Sequence, residues 1–323
     1  MKILVIGGMG YIGAHVVVEL IRAGHKVTVY DDLSTGQPNN AQLESTLIKA
    51  DILDYRKLCG TLAYERFDAV IHLAAKKAVA ESMINPDYYA RNNISGSLGL
   101  LSAMAANGVK KLIFSSSAAV YGMPKDDKPL TEESPVDPIN FYGFTKLEIE
   151  RAMAWYDKLK DIKFVALRYF NAVGYDAAGR VKGLEKNPQN LLPAIMESMT
   201  GRREGLEVFG DDYPTPDGTC IRDYIHCTDL AIAHVKALGL KESATLNLGT
   251  NKGTSVLEMI KAVEEITGKK VPYKVVGRRS GDPAFLVASP AKAAKVLGWK
   301  AEHSSLQNIV RTTWDRYQSP DAE

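Results

Sequence analysis

Lys2-Ile3-Leu4-Val5-Ile6-Gly7-Gly8-Met9-Gly10-Tyr11-Ile12-Gly13 decides the fold of this chain. Five residues of short, mostly apolar run end in a glycine cluster. Residues 14–23 then carry Val16, Val17, Leu20 and Ile21 at helical spacing. Strand, glycine turn and helix in that order are what a dinucleotide-binding βαβ unit requires. Gly7 allows the tight turn, Gly10 lets backbone approach a pyrophosphate, and Gly13 lets helix and strand pack closely. The helix N-terminus then faces the anion. Read alone, a glycine-rich turn would fit any α/β protein.

The following residues narrow the reading. After Gly24 a second strand is expected at residues 26–30, ending in Asp31-Asp32. Asp31 lies eighteen residues past Gly13, where a carboxylate accepts hydrogen bonds from an adenosine ribose diol. The same carboxylate repels a 2′-phosphate, so NAD is favoured over NADP.

Strand and helix patterns keep alternating. Strands are expected at 46–50, 69–73, 111–115 and 163–169, and helices at 55–64, 86–106 and 141–159. Pro86 suits a first helical turn and Asn107-Gly108 a stop. This alternation predicts an α/β fold, a Rossmann-type doubly wound parallel sheet. From Asn171 the pattern breaks into shorter periodic stretches separated by Gly-, Pro-, Asn- and Asp-rich loops. The reading is therefore a dinucleotide-binding domain over residues 1–170 and a smaller C-terminal α/β substrate domain over 171–323. The chain is expected to return to the first domain near 223–250.

Composition excludes several functional classes. Of 323 residues, 46% are hydrophobic and 24% charged, and 40 basic against 38 acidic side chains leave a net charge of +2. No strong field argues for nucleic acid or a membrane surface as partner. The first strand begins at the N-terminus and no apolar run approaches a membrane span, so no signal peptide is expected. Cys59, Cys220 and Cys227 form no CxxC pair, and read as reduced packing residues of a cytoplasmic protein. The six histidines show no metal-ligand spacing, and no metal is expected.

Chemistry enters at Tyr142-Gly143-Phe144-Thr145-Lys146. A Tyr and a Lys four apart share a helix face, where an ammonium would draw the phenol pKa down from about 10. A phenol tuned that way takes a proton from an alcohol. Such pairs also occur on many solvated helices, so the context matters. Ser115, Ser116 and Ser117 come just after the strand ending at Phe114, and a hydroxyl at a strand's C-terminal end faces the ligand crevice of an open α/β sheet. Ser117, Tyr142 and Lys146 together would bind a substrate alcohol, remove its proton and hold a cofactor ribose.

On these stretches, with residues 72–82, 168–171, 211–215, 222–226, 247–258 and 278–282, the chain resembles the extended short-chain dehydrogenase/reductase family, and within it the epimerases of UDP-sugars. The resemblance covers essentially the whole chain. It implies interconversion of UDP-glucose and UDP-galactose: oxidation at C4, rotation of the 4-keto sugar and hydride return, with NAD bound throughout. Tyr142 would be the base, Ser117 its hydrogen-bonding partner at the same oxygen, and Lys146 the ribose contact. Further cofactor contacts would fall on Tyr11, Ile12, Asp31 and Thr35, on Asp51 and Ile52, and on Ala74, Lys77, Asn92 and Tyr169. UDP-sugar contacts would fall on Asn171, Asn190 and Leu191, on Val208 and Phe209, and on Arg222, Arg279 and Asp282. Two Arg side chains suit a diphosphate. The resemblance also implies a homodimer pairing the helices from Pro86 and Phe141.

Two departures bear on specificity. Met9 stands where the glycine loop usually carries Ala, with the key glycines intact. Leu286 matches the position gating the hexose 2′-substituent, and leaves N-acetylated and pentose UDP-sugars open. A 4,6-dehydratase would place Asp-Glu after the catalytic hydroxyl, where this chain has Ala118-Ala119. A catalytically silent NAD-binding protein would need no Tyr-Lys pair.

Overall fold

Ile3, Leu4, Val5 and Ile6 are all buried, and the reason is position. β1 (Lys2–Ile6) is an inner strand of a parallel sheet covered on both faces, where strands read as unbroken apolar runs. In the computed structural model, which describes residues 1–186, 188–279 and 281–321, α1 (Tyr11–Arg22) follows the glycine turn and β2 (Lys26–Asp31) pairs parallel to β1. β3 (Ser45–Lys49), α2 (Tyr55–Glu65) and β4 (Ala69–His72) extend the alternation. The glycine loop is tight by necessity: a β-carbon on Gly13 would stand 2.1 Å from the Gly7 carbonyl oxygen.

The helix expected over residues 86–106 is interrupted. α3 (Val79–Ile84) and α4 (Pro86–Tyr89) lead into a π-helical turn at Ala90–Ser95, and α5 (Gly96–Ala106) resumes regular geometry. The wide turn lets the Ser97 hydroxyl donate to the Asn93 carbonyl at 2.6 Å and aims the Asn93 amide inward. β5 (Lys111–Ser117), α6 (Phe141–Lys160) and β6 (Lys163–Tyr169) complete the first run. β7 (Asn171–Val173) follows at once, then α7 (Leu191–Met199), β8 (Leu206–Phe209), β9 (Ile221–Arg222) and β10 (Tyr224–His226).

α8 (Cys227–Ala237) packs on α1, and β11 (Ala244–Leu248) pairs parallel to β6. The seven-stranded order is β11-β6-β5-β4-β1-β2-β3, all parallel. The order reverses between β1 and β4, where ligands of such sheets bind. The remaining elements are β12 (Thr254–Ser255), α9 (Val256–Thr267), β13 (Tyr273–Val276), β14 (Phe285–Leu286), α10 (Ala291–Leu297) and α11 (Leu306–Gln318). β13 pairs with β8, and β12, β9 and β14 form a small mixed sheet beside the large one. α7, α9 and α11 pack there around Ile195, Met259, Val263 and Ile309.

Candidate active site

Two clefts flank the end of β6, one reaching Tyr169 and the other Asn171. The first, of about 200 Å³, follows the glycine turn and is lined by Gly7, Gly10, Tyr11, Ile12 and Gly13. Asp31 and Thr35 border it on one side, and Ile52, Ala74, Lys77 and Asn92 on another. Tyr142, Lys146 and Tyr169 close its inner end. Asp51 is exposed beside Ile52, its carboxylate accepting from the Leu53 amide at 2.8 Å.

The first cleft fits a dinucleotide. Gly10 precedes α1 with no side chain capping the helix, so the first-turn amides are left for an anion. A β-carbon on Gly10 would meet only the Gly7 carbonyl, at 3.5 Å, so its open side faces the cleft. The Asp31 carboxylate accepts from Met9 N at 2.9 Å and Leu33 N at 2.8 Å, which fixes it at the β2 end. Burial pushes its pKa up, against those two amides.

The second cleft, of about 770 Å³, is lined by Asn171, Asn190, Leu191, Val208, Phe209, Arg222, Arg279 and Asp282. Its cations are pre-arranged. Arg222 pairs with Asp282, and the Arg279 guanidinium lies 4.2 Å from the Phe209 ring centroid. Leu286 instead packs against the cluster around Ala118, Tyr121 and Leu130, in register with Arg222 across β9 and β14. Tyr169 lines the first cleft and Asn171 the second, so the two meet across Phe170.

Ser117, Tyr142 and Lys146 converge at that junction. Ser117 ends β5 in register with Tyr169, and its hydroxyl accepts from Ala119 N at 3.2 Å. Asn140 caps α6 by accepting from Gly143 N at 2.8 Å, and Tyr142 N donates to the Ser82 hydroxyl at 3.1 Å. Lys146 is buried and donates to the Ser115 carbonyl at 2.7 Å. Its ammonium lies 4.7 Å from the Phe114 ring centroid and 5.8 Å from that of Tyr142.

The phenol pKa departs from the sequence expectation. Burial pushes Tyr142 up to about 12, with the Ser117 hydroxyl pulling the other way. The same burial draws the Lys146 ammonium down to about 7, with Glu150 one turn on opposing. Desolvation is the largest cause for both groups. Glu150 is held in turn by Arg168 and Ser116, which bolts α6 to β5 and β6.

One buried clamp has no counterpart in the sequence reading. Asn93 accepts from Lys76 N and donates to Lys76 O, each at 2.9 Å, and donates to the Thr145 hydroxyl at 3.1 Å. Thr145 donates to Tyr142 O at 2.7 Å. The first-cleft wall is thereby tied to the helix carrying Tyr142 and Lys146. The only signal was a polar Asn92-Asn93 pair inside an otherwise helical segment. Among the described residues no cluster of His, Cys, Asp or Glu could hold a metal ion.

The chain matches the NAD dependent epimerase/dehydratase family over residues 3–249 and belongs to it. It is 44% identical to the UDP-glucose 4-epimerase of Lactobacillus helveticus, over 99% of this chain and 98% of that one. A UDP-glucose 4-epimerase from Brucella ovis, solved in complex with NAD, superposes with a TM-score of 0.95 at 43% identity, covering 98% of both chains. The Bifidobacterium longum enzyme, solved with NAD+ and UDP, gives 0.93 at 38% identity over the full length of both chains.

Proposed function

We propose that this protein interconverts UDP-glucose and UDP-galactose by NAD-dependent epimerisation at C4 of the hexose. The observation carrying the reading is the convergence of Ser117, Tyr142 and Lys146 where a dinucleotide cleft meets a cleft bearing Arg222 and Arg279. NAD, when bound, supplies a hydride acceptor beside the sugar and returns the hydride in the second half-reaction. Gly7, Gly10 and Gly13 with the α1 N-terminus hold its pyrophosphate. Asp31 takes the adenosine ribose, while Lys77, Asn92 and Lys146 contact the remainder.

Tyr142 would act as the phenolate, drawn down from its cofactor-free value by the positive charge that bound NAD+ would add nearby; it accepts the 4′-hydroxyl proton as the C4–H bond breaks, and gives it back when that bond re-forms on the other face. Ser117 hydrogen-bonds the same oxygen and keeps it within reach of the phenol. Lys146 keeps α6 on β5 through Ser115 and presents its ammonium beneath the phenol ring. Arg222 and Arg279 grip the diphosphate and Asp282 the uridine ribose, leaving the hexose free to turn. Asn171, Asn190, Leu191, Val208 and Phe209 enclose the nucleotide, and Leu286 stands behind the hexose end.

On this reading residues 1–170 with 223–250 form the NAD-binding domain, and the rest of 171–323 holds the UDP-sugar. The protein works as a cytoplasmic homodimer. Leu98 on α5 and Trp155 and Leu159 on α6 are exposed large apolar side chains on helices that pack together, a surface that a second copy would cover. No helix among the described residues is long and apolar enough to cross a membrane.

The test is purified protein incubated with UDP-galactose and no added nicotinamide, followed by chromatography. Approach to one UDP-glucose/UDP-galactose mixture from either sugar, without net NADH, is the expected result. No conversion even with NAD added overturns the assignment.

A further inference from the structure

Residues 180–186 run beside the first cleft, and Leu184, Glu185 and Lys186 line it. The Gln42 amide donates to Arg180 O and the Gln37 amide to Leu184 O, both at 3.0 Å. Asn40 accepts from Lys182 N at 3.1 Å and Gly183 N at 2.7 Å. These bonds tie the segment to the loop after Asp31, on the adenosine side of the cleft. On the opposite wall the segment makes a charged contact: Glu185 pairs with Lys77.

The pair is asymmetric. The Glu185 side chain is 8% exposed and that of Lys77 57%, and Glu185 Oε2 is buried without a hydrogen-bond partner. Both residues line the cleft with Gly10 and Gly13. A buried carboxylate facing a diphosphate is tolerated only with a cation between them. An ammonium has three donors and no acceptor, so Lys77, while paired with Glu185, keeps donors for a phosphate oxygen.

We propose that Glu185 is a cofactor-retaining residue: through Lys77 it latches residues 180–186 over the bound dinucleotide and slows its escape. The inference rests on reading the first cleft as the NAD site. It assigns retention to a contact between the two halves of the chain, where the glycine loop supplies only the floor.

The test follows exchange of bound NAD in the holoenzyme against excess isotopically labelled NAD, for the wild type and Glu185→Gln. The variant keeps the side chain's shape and removes its charge, and exchange is expected to accelerate about tenfold. The amides of Lys182 and Gly183 should lose hydrogen-exchange protection in the same variant. Gln42→Ala, which frees the far end of the segment, should also accelerate exchange and stands in should Glu185→Gln fold poorly. Unchanged exchange in a wild-type background that holds NAD overturns the latch alone. Slower exchange in Glu185→Gln overturns it too, since Glu185 would then be competing with the cofactor for Lys77. A wild-type protein holding no NAD overturns the underlying reading, and the latch with it.

Discussion

Gly143 and Ala119 touch so closely that a β-carbon on Gly143 would stand 2.4 Å from the Ala119 carbonyl oxygen. That contact seats the first turn of α6, which carries Tyr142, on the turn that follows Ser117. Gly143→Ala must push helix and loop apart. Turnover is expected to fall by roughly two orders of magnitude, since small misplacements of reacting groups cost that much. Retained cofactor, read by absorbance after denaturation, should stay near the wild-type level. Wild-type turnover in this variant would mean that the contact does not position the site.

Tyr142→Phe removes the proton acceptor and leaves the ring against Lys146. Epimerisation is expected to drop by about 10²–10⁴-fold while NAD is still retained. Single-turnover reduction of bound cofactor by UDP-galactose separates the two effects, because binding survives and reduction does not. A variant turning over at the wild-type rate would assign the base elsewhere.

Lys146 gives stability a pH dependence of known sign. Its folded pKa of about 7 lies below the unfolded value near 10.4. Between those values the unfolded chain holds the extra proton, so this group's contribution to stability rises with pH above 7, by up to about 1.4 kcal/mol per unit. Near pH 8.5 the buried Cys227 thiol, pushed up to about 12, begins to oppose it. The cofactor-free protein should therefore gain stability from pH 7 to 8.5 in denaturant titrations. Lys146→Met should flatten that gain and lose activity. An unchanged slope in the variant would assign the dependence to other groups.

Four histidines act in the acid range. Burial draws His15 and His234 down to about 4 and His72 and His226 to about 3, against about 6.5 when unfolded. Their contribution is present above pH 6.5 and lost as pH falls toward 4. Each therefore destabilises the fold as it is protonated in acid, and a marginally stable fold has little reserve against that. Unfolding is expected well before pH 4 in circular dichroism, with the onset moved to lower pH in His234→Gln. An acid transition controlled only by carboxylates would leave that onset unmoved.

Leu98, Trp155 and Leu159 test the assembly. Trp155→Glu with Leu159→Glu places charge on the exposed face of α6. Sedimentation is expected to shift from dimer to monomer, with the fold intact by circular dichroism. A wild-type protein that sediments as a monomer at micromolar concentration would remove this proposal.

Much of the architecture was legible because it depends on local sterics and periodicity. The glycines at 7 and 13 announce a turn in which a β-carbon has no room, and Tyr142 and Lys146 share a face by helical spacing alone. The alternating apolar runs also announced a parallel sheet. What only the tertiary structure decided depends on partners far apart in the chain and on the removal of water. The π turn at Ala90–Ser95 carries Asn93, which bonds Lys76 and Thr145, and no local pattern encodes that pairing. The direction of the Tyr142 pKa shift reversed because the phenol's own burial, which helical spacing does not reveal, outweighs the Ser117 hydrogen bond. Glu185 lay in a loop without periodicity, and its meeting with Lys77, over a hundred residues earlier, is a product of the fold.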